Sequence, residues 1–118
     1  MNWYKLSQAA SPPPELYHGT SNSFKNFQTP TGVEKMDVTS GGVVYLTESY
    51  SDAKKYALAD KKKRGSLHAY VHTVESKNAI SYSDQREIQN LPKKKNRFVR
   101  GVWVALPSDC KIISTEEV

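Results

Sequence analysis

Three short blocks carry the residues whose types and spacing could do chemistry: Leu16-Tyr17-His18-Gly19-Thr20-Ser21, Gly42-Val43-Val44-Tyr45-Leu46-Thr47 and Ala53-Lys54-Lys55-Tyr56-Ala57. A histidine on one strand, a tyrosine on a second and a tyrosine on a helix can build a flat aromatic slot with a polar floor. Such a slot suits a planar, charged ring such as nicotinamide, because aromatic faces stack on it while imidazole and backbone groups supply hydrogen bonds. Taken singly, each residue has a plainer reading. His18 fits a satisfied strand histidine, and Tyr45 and Tyr56 fit core aromatics with hydroxyls at the rim.

The elements that would position them follow from local pattern. Leu16 to Thr20 reads as a short strand. Ser23 to Phe27 reads as a short helix or turn with Phe24 and Phe27 on one side, and Gln28 to Ser40 as a loop. Gly41-Gly42 turns the chain into the β-branched strand Val43 to Thr47, with Val44 and Leu46 on one face and Val43, Tyr45 and Thr47 on the other. Ser49 with Asp52 three residues on is an N-cap pattern for a helix through Asp60. After Lys61-Lys62-Lys63-Arg64 and Gly65, alternation predicts a strand from Leu67 to Val74. Further strands are expected over Ala79 to Tyr82, Phe98 to Leu106 and Cys110 to Ser114, with a short helix from Ser83 to Leu91 ended by Pro92. Strands outnumber helices, so the fold class is α+β with a largely antiparallel sheet.

The chain has 118 residues, enough for one core and too few for two. Residues 1–14 read as an amphipathic turn (Trp3, Tyr4, Leu6) followed by the extended linker Pro12-Pro13-Pro14, and residues 15–118 as a single domain. The net charge of +5 is concentrated in Lys61 to Arg64 and in Lys93-Lys94-Lys95 with Arg97 and Arg100. Such clusters attract phosphates of a nucleic acid, a dinucleotide or another anionic partner, and equally serve as a solvated surface. Cys110 is the one cysteine, which excludes an internal disulfide. His68 and His72 share a strand face but lack a third ligand at metal spacing, so no metal is expected. Neither a signal-peptide pattern nor an apolar run near the roughly 20 residues of a membrane span is present. The expectation is a cytoplasmic protein without a membrane partner.

In their order and spacing, with Tyr45 and Tyr56 eleven residues apart, the three blocks resemble the ADP-ribosyltransferase superfamily, in the His-Tyr-acid branch that includes the poly(ADP-ribose) polymerases. The resemblance runs from Leu16 to about Ile113. It implies two small packed, mostly antiparallel sheets with a few short helices, NAD as co-substrate, and transfer of ADP-ribose to a protein, nucleic-acid or small-molecule acceptor with release of nicotinamide. It implies that His18 bonds ribose hydroxyls, that the backbone of Gly19, beside Thr20, holds the carboxamide, and that Tyr45 and Tyr56 enclose the ring. The chemistry agrees: breaking the nicotinamide–ribose bond leaves an oxocarbenium-like carbon, so the leaving ring must be held rigidly and electron density supplied near the sugar.

One position departs from that pattern. Family members often carry a glutamate at the start of a late strand, and the matching segment here is Arg100-Gly101-Val102-Trp103-Val104-Ala105-Leu106-Pro107-Ser108, with Gly101 in the acid's place. Small rifamycin-modifying ADP-ribosyltransferases, similar in length and in the Tyr-His-Gly-Thr block, use an aspartate after the third strand, where Asp84 lies; Glu87 is a second candidate. Arg97 and Arg100 are substrate-side candidates. Arg64-Gly65 and Phe98 to Val104 also resemble the C-terminal lobe of RNA 2′-phosphotransferases, whose N-terminal Arg-His lobe this chain lacks. The remaining alternative is a catalytically silent module that binds NAD or ADP-ribose.

Overall fold

The computed structural model describes residues 11–24, 26–27, 36–39, 42–92 and 101–118. The expected amphipathic turn before the proline linker, most of the expected loop from Gln28 to Ser40, the Lys93-Lys94-Lys95 cluster, the start of the strand expected from Phe98 and the candidates Arg97 and Arg100 lie outside these residues.

Six strands and two helices follow one another as β1 (Leu16–Thr20), β2 (Val44–Thr47), α1 (Tyr50–Arg64), β3 (Tyr70–Glu75), β4 (Ile80–Ser81), α2 (Tyr82–Ile88), β5 (Val102–Ala105) and β6 (Lys111–Glu117), with a 3-10 turn at Pro107–Asp109. All strand pairs are antiparallel, in the order β4-β5-β2-β1-β3-β6. The α+β class is thus as expected, while the described strands make one sheet where two were expected. That sheet has a weak line in it. β1 and β3 pair along five residues and β2 and β5 along four, but β1 and β2 meet at Tyr17↔Thr47 alone. Two three-stranded halves are therefore joined at a single pair and split beyond it.

Alternation divides the core between the two faces. On one face Leu16, Val44, Leu46, Val74, Trp103 and Ala105 are buried together. The other face is covered by the helices. Ala53 and Ala57 of α1 meet Ala69 and Val71, and Tyr82 of α2 meets Val43 and Val104. The small side chains of Ala53 and Ala57, one turn apart, let α1 lie close on β1.

α1 begins as expected, with the Ser49 hydroxyl accepting the Asp52 N–H, but runs four residues past Asp60, through Lys61 to Arg64. Lysine and arginine are good helix formers, and cations at a helix C-terminus complement its dipole. Gly65, at φ 65°, stops it: the Gly65 and Ser66 N–H groups bond back to the carbonyls of Lys62 and Lys61, a Schellman closure that favours glycine. β3 consequently starts at Tyr70 rather than Leu67, which is 84% exposed. β4 is shorter than expected because Ser81 caps α2 through the Asp84 N–H, drawing Tyr82 into the helix. α2 ends at Ile88, before the expected Leu91. Ser23, Phe24, Asn26 and Phe27 are not helical. β6 continues past Ser114 to Glu117 because its polar end pairs with β3 down to Tyr70.

Candidate functional site at the split between β1 and β2

Past Tyr17↔Thr47 β1 and β2 form no further pair, and His18, Gly19 and Tyr45 lie along that unpaired stretch. His18 spans it: its Nδ1 lies 2.9 Å from the Tyr45 carbonyl oxygen. A carbonyl only accepts, so Nδ1 carries the proton and, in the neutral ring, Nε2 is left as the acceptor. Burial holds the His18 pKa below the ordinary histidine value, offset in part by the Tyr45 carbonyl and the Asp60 carboxylate. The side chain of a neutral imidazole thus replaces a missing ladder bond.

Gly19 faces α1. A Cβ there would fall 2.0 Å from the Ala53 carbonyl oxygen and 2.9 Å from the Ala57 nitrogen. Glycine is required by helix packing, independent of any ligand. Thr20 is buried at the end of β1, its hydroxyl accepting the Asn22 N–H at 3.2 Å. Next along the chain, the Ser21 N–H and hydroxyl both donate to Asp60 Oδ2, at 2.9 and 2.7 Å, while Arg64 Nε donates to Oδ1 at 2.8 Å. These bonds, the serine hydroxyl's foremost, hold the Asp60 pKa below the usual carboxylate range and pin the end of β1 to α1.

Tyr45 leaves the helix-covered face of β2, opposite Val104, and is 42% exposed. Its ring packs 5.9 Å from that of Tyr82, and its hydroxyl donates to the Val38 carbonyl at 3.3 Å. Segment 36–39 is in turn tied to α2. Gln85 Nε2 donates to the Met36 carbonyl, Gln89 Oε1 accepts the Val38 N–H, and Gln89 Nε2 donates to Asp37. Tyr56 projects from α1, 50% exposed, one residue from Ala57 and so on the flank of the face that touches the sheet. Gly19, Tyr45 and Tyr56 therefore belong to the helix side.

His18 does not. Tyr17 and Thr47 stand opposite each other, so Leu16, His18, Leu46 and Glu48 leave the other face. There the His18 ring lies 5.1 Å from Phe27 and 6.4 Å from His72, and Phe24 lies 4.6 Å from His72. The spacing-of-three reading of Phe24 and Phe27 survives as a ring contact at 5.0 Å without a helix. His72 is fully buried, with Nδ1 2.7 Å from the Thr115 hydroxyl and Nε2 3.4 Å from the Asn22 carbonyl. It is a core histidine; His68, apart from it, pairs with Glu117. Among the described residues no cluster of three metal-ligating side chains occurs.

The acids are distributed unevenly. Asp84 sits in the first turn of α2, its N–H capped by Ser81, and Glu87 lies exposed further along that helix. Gly101 has φ 67°, a conformation that a glutamate would adopt only with strain. Against it lies a carboxylate that the sequence did not single out: Glu48 Oε2 is 3.4 Å from where a Gly101 Cβ would stand. Glu48 Oε1 accepts the indole N–H of the buried Trp103 at 2.9 Å, and the Glu48 N–H donates to the Gly101 carbonyl. Asp60, Gln85 and Gln89 were missed likewise, since no local spacing signals contacts across 39 to 52 residues.

Chemically, the unpaired stretch offers an imidazole acceptor, a glycine backbone and the exposed phenol ring of Tyr45, while the Tyr56 ring is exposed on α1. Comparison with protein-family models, with curated proteins and with solved structures finds no match for this chain. No helix among the described residues is long and apolar enough to cross a membrane.

Proposed function

We propose that the chain is a small ADP-ribosyltransferase. It binds NAD at the split, encloses the nicotinamide ring between Tyr45 and Tyr56, holds the carboxamide on the Gly19 backbone and passes ADP-ribose to an acceptor. The observation that carries this reading is the single-pair seam at Tyr17↔Thr47, beyond which Gly19 and Tyr45 form no β1–β2 pair and the Tyr45 carbonyl accepts the His18 Nδ1 proton in a hydrogen bond instead. An amide group can bond there as a short strand would. His18, locked by the Tyr45 carbonyl with Nε2 as acceptor, would offer that nitrogen to a ribose hydroxyl from the sheet face opposite Gly19 and Tyr45. Rigid holding of the leaving ring is what such chemistry asks of a protein.

The test is nicotinamide release from NAD. Wild type is expected to release it, and His18→Ala and Tyr45→Ala to do so on the order of 100-fold more slowly. One observation favours a second reading: position 101 is a glycine that strain would keep from being an acid. A catalytically silent module would bind NAD in calorimetry and release no nicotinamide with any acceptor.

A further inference from the structure

The lysines around Asp60 belong to α1, and the helix gives each of them a direction. Ala53 and Ala57 mark the side of α1 that lies on the sheet. At 3.6 residues per turn, Lys55 and Lys62 stand on the opposite side, aimed away from the protein and about 10 Å apart along the axis. Tyr50, whose hydroxyl is hydrogen-bonded to Glu116 of β6, fixes the roll of the helix. The flank that carries Tyr50, Lys54 and Lys61 therefore lies toward β3 and β6, while Lys63 shares the other flank with Tyr56. The acids of α1 do little to offset the outward charge. Asp60 is bonded to Ser21 and paired with Arg64, and Asp52 lies in the first turn. Lys55, Lys62 and Lys63 are exposed, and among the described residues no ion pair engages them.

Charge density and the make-up of this ridge select the partner. A helix that binds a membrane surface needs an apolar face to insert, and on α1 that face is covered by the sheet. A single strand of nucleic acid is held by aromatic side chains on which its bases stack. The outward row of Lys55, Leu58, Ala59 and Lys62 contains none. A duplex presents one phosphate charge per about 1.7 Å of its axis, roughly six over the span from Lys55 to Lys62, and asks only for cations. We propose that the outer face of α1 binds the phosphate backbone of a double-stranded nucleic acid through Lys55 and Lys62, with Lys63 beside them. Such binding goes beyond the NAD reading and needs no cleavage of NAD.

The test is fluorescence anisotropy of the full chain with a labelled DNA duplex of about 20 base pairs, over a series of salt concentrations. Wild type should bind at low salt and release the duplex as salt rises. Lys55→Gln/Lys62→Gln removes two charges from exposed helical positions, where glutamine is as good a helix former as lysine, so circular dichroism should be unchanged. Its affinity should fall about tenfold or more at fixed salt, and the slope of log affinity against log salt should shrink by about two. Lys77→Gln/Lys111→Gln takes the same charge from the other end of the sheet, where Lys111 pairs with Glu75, and should leave affinity within about twofold. Equal losses in the two double variants would show attraction to net charge alone and overturn the assignment to α1. Wild type that binds no duplex at low salt, that holds a single strand more tightly, or that binds only anionic vesicles would overturn it as well.

Discussion

At the scale of single residues, the two histidines of the β1–β3 pair set how the protein responds to acid. Burial depresses the pKa of both His18 and His72, and in His72 the neighbouring His18 adds to the depression. A histidine whose folded pKa lies below its unfolded value of 6.5 contributes stability that is complete above 6.5 and is lost as pH falls below it, because the unfolded chain takes up the proton first. Asp60, whose pKa is depressed chiefly by the Ser21 hydroxyl, acts in the same direction at lower pH: its contribution is present above the ordinary aspartate value of 3.8 and disappears as pH falls through its folded pKa. Urea melts between pH 8 and pH 4 should therefore show a plateau to about 6.5, then a decline of up to about 1.4 kcal/mol per pH unit for each histidine. In His72→Gln the decline should be shallower. A stability that rises on acidification would contradict these assignments. Cys110 stays out of this range, burial pushing its thiol up to about 11.

At the scale of elements, the contact between α1 and β1 is the one on which the site's geometry turns, and it is a contact of backbones. Gly19 meets Ala53 and Ala57 so closely that a methyl group at position 19 would overlap a carbonyl oxygen at 2.0 Å. Gly19→Ala should therefore cost about 3 kcal/mol or more in a thermal or urea melt, as α1 is forced off the sheet; a loss under about 1 kcal/mol would show the packing to be looser. The N-cap at Ser49 and the alternation of Val43 to Thr47 were legible in the sequence, being local signals. The reach of α1 through Lys61 to Arg64 was not, because a lysine run reads as well as a loop as a helix end until Gly65 is seen to close it. The shortening of β4 and the extension of β6 were equally hidden, each decided by a partner far along the chain. Of the candidate site, the sequence named the strand residues on which the His18 ring reaches the Tyr45 carbonyl. Their division between two faces, and the presence of Glu48 beside Gly101, needed the register of three strands.

At the scale of the whole molecule, the sheet is two halves hinged on Tyr17↔Thr47, with α1 buttressing one half and α2 the other. Tyr45, at the rim of the second half, is braced by Tyr82 and by segment 36–39, which Gln85 and Gln89 anchor to α2. The most direct measurement is a crystal structure of the chain soaked with NAD. On the proposed reading the nicotinamide ring will lie between Tyr45 and Tyr56, its carboxamide on the Gly19 backbone and a ribose hydroxyl on His18 Nε2. NAD bound elsewhere on the surface, with the split empty, would contradict it.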